Sequence, residues 1–238
     1  MHRQRFILAS ALFALASSSI AGAQTAPTTA YTPAPPPTTA EATFLATIMR
    51  DLPARYPTPQ AANKAGYVRF SNEDETGAIS YANTKAWNST DPDVPAQLWY
   101  DVNDRLIGAD YSVRQADAPA GPALFGIDPK RFGKVGAHIH YVTCMVMHGE
   151  TTTMSPGCIY GKAVGAKKYA TVGDVEHPTA QGLVQLGVVK DAAAVKTVFL
   201  YPAIYDVSIW VVRNPLGQFA EHNPNVIPSP NAGKGDDM

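Results

Sequence analysis

Charge is thin in this chain. Lys and Arg number 19 and Asp and Glu 20 among 238 residues, for a formal charge of −1. No basic field is present that would favour nucleic acid or an anionic membrane surface. Cysteine is scarcer still. Cys144 and Cys158 are the only two, which excludes a disulfide-dense scaffold and a Cys-x-x-Cys redox or zinc motif. After the N-terminal two dozen residues, no apolar run approaches the roughly 20 residues that a membrane helix needs. Signatures of catalysis are missing as well. There is no Gly-x-Ser-x-Gly elbow, no phosphate-cradling glycine loop and no His-Glu-x-x-His. The neighbouring carboxylates Asp74 and Glu75, and Asp236 and Asp237, lie in polar stretches with nothing apolar to raise a pKa. A non-enzymatic role is therefore the simpler reading of the motifs.

What is present begins with an export signal. His2, Arg3 and Arg5 form a basic start, 6–16 is apolar, and Ala21-Gly22-Ala23 suits a cleavage site. Residues 1–23 read as a cleaved signal peptide, so the protein is expected in the periplasm or outside the cell. Loss of Arg3 and Arg5 would take the formal charge from −1 to −3. In an oxidising compartment the pair Cys144 and Cys158 is expected to form a disulfide. Residues 24–40 are rich in Pro, Thr and Ala and read as a disordered linker. The stretch 223–238 has similar character and reads as a flexible tail. One globular domain, 41–222, lies between them.

Period decides the fold class. Phe44, Leu45, Ile48, Met49 and Leu52 recur at helical spacing after a threonine cap at Thr39 or Thr43, with Pro53 as the stop. A short second helix is expected over 60–64. From Tyr67 onward the runs 67–70, 78–83, 97–102 and 106–113 are short, β-rich and separated by turn residues. Residues 149–180 read as one long polar loop and 183–189 as a strand. The runs 196–201 and 205–212 read as paired core strands. A leading helix followed by strands without alternating βα units predicts an α+β fold, mostly antiparallel sheet.

The order of several short pieces is distinctive: Ser80-Tyr81-Ala82-Asn83, Pro95-Ala96-Gln97-Leu98-Trp99-Tyr100, Leu106-Ile107-Gly108-Ala109-Asp110-Tyr111 and Pro122-Ala123-Leu124-Phe125-Gly126. They lead to Trp210, Asn214-Pro215, Gly217, Phe219 and Asn223-Pro224. This resembles a set of uncharacterised secreted bacterial proteins that end in W-x-x-x-N-P-x-G-x-F-x-x-x-N-P. Relatives often carry His-Tyr where this chain has Ser80-Tyr81. The resemblance implies export and a common fold over most of 60–226, and no activity.

The one stretch that suggests chemistry runs from Gly136 to Gly149. It holds His138, His140 and His148, three of the six histidines, together with Cys144. As a strand it turns His138, His140, Val142 and Cys144 to one face. Two imidazoles at i and i+2, with backbones roughly 7 Å apart, can converge on one zinc or copper ion. His148 shares the parity but lies about 26 Å from His140 along a straight strand. A third ligand is therefore expected from the polar loop at Asp174-Val175-Glu176-His177, with His177 or Glu176 favoured. His222, beside Glu221, is a weaker candidate. Cys144, His148 and Met154 also approach a copper ligand order, a reading that needs Cys144 reduced.

The competing readings are a secreted binding module for a carbohydrate or protein, built on Trp87, Trp99 and Trp210, and a hydrolase or oxidase of unrecognised type. More often such aromatics fill a sheet core. The partner is then a small molecule, a metal or a surface component, with nucleic acid and a membrane span excluded.

Overall fold

The computed structural model describes residues 31–144 and 158–233. The fold is α+β. Helix α1 (Thr39–Arg55) and the short α2 (Pro59–Lys64) precede a six-stranded sheet. Its strands are β1 (Val68–Glu73), β2 (Ile79–Ala82), β3 (Gln97–Tyr100), β4 (Leu106–Arg114), β5 (Gly133–Val135) and β9 (Ile204–Trp210), in the order β1-β2-β3-β4-β9-β5. A second sheet has the order β7-β6-β8, from β6 (His138–Cys144), β7 (Cys158–Gly165) and β8 (Val195–Tyr201). The strand pairs of both sheets are antiparallel.

Helix α1 starts one residue earlier than a cap at Thr39 would set it, and five earlier than a cap at Thr43. Thr38 is the cap, and its side chain and that of Glu41 close a capping box. The helix also continues through Pro53 to Arg55. Its apolar stripe of Phe44, Leu45, Ile48 and Leu52 packs with Leu98, Tyr100, Ala109, Tyr111, Val207 and Ile209. Those sheet residues alternate along β3, β4 and β9, so they share one face. The main core therefore lies between α1 and the six-stranded sheet. A smaller apolar cluster, with Phe70, Ala82, Trp87, Phe199, Tyr201 and Ile204, joins the other face of that sheet to the second one.

Four sequence expectations are corrected here. Residues 31–38, placed in a disordered linker, lie along the domain. Ala34 N–H donates to the Leu216 carbonyl at 2.8 Å, and the Arg131 guanidinium donates to the Pro35 and Pro36 carbonyls. The C-terminal stretch is tied down as far as Gly233. Val226 is buried, and buried Glu73 accepts from the Ser229 N–H at 2.6 Å and from its hydroxyl. The run 183–189 is not a strand: α4 (Ala180–Gln185) takes its first three residues and buries Leu183, and the supposed loop contains β7 and α3 (Ala166–Tyr169). Finally, β8 and β9 do not pair with each other. They belong to different sheets, separated by the turn at Pro202-Ala203.

One ion pair fastens the N-terminal strap. Glu41 is fully buried, and Arg131 Nε donates to its Oε1 at 2.6 Å. Burial alone would push the Glu41 carboxyl up. Bonds from the Arg131 side chain and from the Asp128 and Thr38 backbone outweigh it and hold the group at about 2. Removing one partner strands a buried charge. Arg131→Met is expected to lose about 3–5 kcal/mol in urea unfolding at neutral pH. A loss below about 1 kcal/mol, the value for an exposed pair, would show that the strap does not depend on this contact.

Candidate functional site

Strand parity sets the site. The register pairs Asp110 with Ser208 and Ser112 with Asp206 across β4 and β9, and Gln97 with Asp110 across β3 and β4. The face opposite α1 therefore carries Ser80, Gln97, Trp99, Asp110, Ser112, Asp206 and Ser208. The second sheet lies against part of it and contributes His138, His140 and Tyr201. Between them is a cavity of about 330 Å³, also lined by Phe70 and Val135.

The floor is a crossed square of aspartates and serines. The Ser208 hydroxyl donates to Asp110 Oδ1 at 2.7 Å, and Trp99 Nε1–H donates to Asp110 Oδ2 at 3.0 Å. The Ser112 hydroxyl donates to Asp206 Oδ1 at 2.5 Å. Trp99 lies across Gly108 so closely that a Cβ there would meet its ring, so this glycine is required by close approach. Asp110 is buried and Asp206 half-buried. Burial first, and then the neighbouring Asp206 charge, push the Asp110 carboxyl well above its ordinary range, against the bonds from Ser208 and Trp99. Burial pushes Asp206 up to about 7.

The roof is aromatic. Gln97 Nε2 donates to the Tyr201 hydroxyl at 2.7 Å, joining the two sheets. His138 stacks on Tyr201 with centroids 4.7 Å apart, and His138 and His140 meet edge-on at 4.7 Å. His138 Nδ1 lies 2.7 Å from the Gly136 carbonyl. A carbonyl only accepts, so Nδ1 carries the proton and the neutral ring keeps its lone pair on Nε2. His140 is buried, its imidazole bonds to the Lys162 backbone, and its Nδ1 has no hydrogen-bond partner. Burial, and then the charge of His138, lower it to about 3 despite the Lys162 bond. His140 is thus neutral at physiological pH.

The predicted site residues divide. His138 and His140 come together in the cleft, but His177 and Glu176 line a separate depression beside Trp87 and Phe199. His177 is exposed and pairs with Asp174 at 2.8 Å, which raises its pKa. The loop does not fold over the strand histidines, because α3 and α4 carry it to the other side of the second sheet. There Tyr169 and Leu183 pack on Ile139 and Tyr141. Among the described residues, no group of three or more His, Cys, Asp or Glu side chains is placed to hold a metal ion. Cys144 and Cys158 form a disulfide, so Cys144 is no thiolate and the Cys144, His148 and Met154 copper reading fails. His148 and Met154 lie outside the described residues, as does the signal segment. His222 lies against Tyr31, the rings tilted by 34° with centroids 4.3 Å apart, in another surface depression. No helix among the described residues is long and apolar enough to cross a membrane.

Sequence reasoning missed Asp110, Asp206, Gln97 and Tyr201. The signal was there. Each of two strands carries Asp-x-Ser inside an otherwise apolar run, and a carboxylate in a buried strand needs a reason. No family model, curated protein or solved structure matches this chain.

The aspartates make stability depend on pH in a definite direction. A raised carboxyl pKa means that the folded state holds its proton more tightly than the unfolded chain. For Asp206 the stabilisation is complete below the ordinary carboxyl pKa near 3.8 and is lost as pH rises through about 7. Asp206→Asn is therefore expected to gain stability relative to wild type between about pH 4 and pH 8. Urea unfolding at both values tests this; a difference independent of pH would contradict it.

Proposed function

We propose that the protein is exported through a cleaved signal peptide and binds a small, neutral, hydroxyl-bearing molecule in the cleft between its sheets. The observation that carries this reading is the lining. Carboxyl, amide, hydroxyl and imidazole groups face the same cavity as Trp99, Tyr201 and Phe70, and among the described residues no Lys or Arg joins them. Concave sites with apolar walls and a few convergent polar groups are where small ligands bind. Without a cation, and with carboxyls on the floor, the cleft disfavours anionic ligands. Aromatic faces beside paired acceptors and donors suit the alternating C–H and O–H surfaces of a sugar. The disulfide agrees with an oxidising destination.

The test is saturation-transfer NMR with neutral mono- and disaccharides, with sugar phosphates as comparators. Neutral sugars are expected to bind wild type, at least tenfold weaker to Trp99→Ala, and sugar phosphates not at all. No binding, or a preference for phosphates, would overturn the reading.

A second reading rests on a different observation. His138 Nε2 and His140 Nδ1 are each left as a lone pair on adjacent rings, which suits zinc or copper with outside donors completing the shell. Calorimetric titration with each metal is expected to give a stoichiometric isotherm that His138→Ala and His140→Ala abolish. Equal affinity in wild type and both variants would remove this reading.

A further inference from the structure

We propose that Asp110 and Asp206 form an acid–base pair that hydrolyses a neutral glycoside bound in the inter-sheet cleft. The inference rests on the sugar-binding reading and goes beyond it from binding to chemistry. Its geometric basis is the β4–β9 register. Asp110 opposes Ser208 and Asp206 opposes Ser112, so the two aspartates sit on one diagonal of the same sheet face. Diagonal neighbours in an antiparallel pair have backbones about 7–8 Å apart. Both side chains stand on the cleft face and line its cavity, so their carboxyls can flank one glycosidic bond from the same floor.

The surroundings favour a shared proton. Among the described residues, no lysine or arginine lines the cleft to neutralise two carboxylates. The other titratable groups facing the pair are Asp74, His138, His140 and Tyr201, and His140 is held neutral by burial. An independent feature points to a ligand. His140 is buried, lines the same cavity, and has an Nδ1 without a partner. A buried acceptor of this kind is normally satisfied, and a sugar hydroxyl would satisfy it.

The step balances with water as the co-reactant. Asp110, kept protonated by its deeper burial, gives its proton to the bridging oxygen as the bond from that oxygen to the anomeric carbon breaks. Asp206, as carboxylate, takes a proton from a water whose oxygen bonds to that carbon. Two hydroxyl-bearing products leave. The proton gained by Asp206 passes to Asp110 or to solvent, and the pair is reset. No redox equivalent is needed.

The experiment uses the full-length exported protein and a panel of neutral 4-nitrophenyl glycosides, with release of nitrophenol followed by absorbance. At least one glycoside is expected to be cleaved, with a bell-shaped pH dependence of kcat/KM. Asp110→Asn and Asp206→Asn are expected to lower kcat by about 100-fold or more, while saturation-transfer NMR still shows the glycoside bound. The wild-type pH profile needs no variant, so it stands if either substitution disturbs folding. Sugar binding without cleavage of any panel member would overturn this inference and leave the binding reading intact. Absence of both would overturn the two together. Cleavage that survives both substitutions, or has a flat pH profile, would assign the activity elsewhere.

Discussion

The pairing of β4 with β9 is the constraint on which the rest of the structure depends. Side chains along a strand alternate, so a register that presses Ala109, Tyr111, Val207 and Ile209 toward α1 must turn Asp110, Ser112, Asp206 and Ser208 the other way. A slip of one residue would put carboxylates into the main core and aromatic rings into the cleft. The apolar face is what fixes the register, because it carries the larger hydrophobic gain. The polar face inherits its geometry from that choice. A site built in this manner is positioned by the core, not by loops, and loops are the usual source of slack in an active centre.

The same arrangement has an energetic cost, and the structure distributes it. Asp110 is buried, with the main core behind its strand and the cleft in front of it. Each serine answers the opposite aspartate, and Trp99 supplies one more donor. Those bonds reduce the penalty without cancelling it, because burial still dominates both carboxyl pKa values. The strap pair shows the contrast. Glu41 is as deeply buried, yet Arg131 and two backbone donors more than compensate, and its pKa falls. Two buried carboxyl environments in one protein are thus resolved in opposite directions. In the cleft burial prevails, and both carboxyls stay above their ordinary range.

Legibility in the sequence followed the same division. The α+β class, the leading helix and most strands of the large sheet were readable because their apolar residues keep period 3.6 or 2 over several positions. The helix α4 was misread as a strand because a short apolar run such as Leu183 to Val189 carries no period long enough to choose. The pairing of β8 with β9 was misjudged for another reason. Adjacent short strands usually form a hairpin, and nothing local reveals that Pro202 and Ala203 carry the chain from one sheet into the other. The histidine strand drew attention because its residue types are rare. His138 and His140 do face the cleft, whereas the aspartates beneath them are inconspicuous in sequence because each sits singly in an apolar strand. Their partnership is a property of register between β4 and β9, nearly a hundred residues apart, which no local window contains.

The closing signature shows how a conspicuous motif can serve a site without entering it. Its polar residues bond mainly to backbone. Gln218 donates to the carbonyls of Trp210 and Val212, Asn214 to that of His222, and Asn223 to that of Arg213. These contacts fold 210–225 into a closed loop, and Trp210 is locked within it by a bond from its indole to the Ala220 carbonyl at 2.7 Å. Trp210 in turn meets the edge of Trp99 with centroids 5.5 Å apart. Trp99, held over Gly108, donates to Asp110. A chain of three contacts, Gln218 to Trp210 to Trp99 to Asp110, therefore runs from the closing loop to the floor of the cleft. A residue such as Gln218 touches nothing in the cavity, yet its hydrogen bonds hold the indole that braces the indole aimed at Asp110. In this chain the motif's polar residues close a loop around one tryptophan. Its connection to the cleft is mechanical: it fixes where one hydrogen-bond donor points.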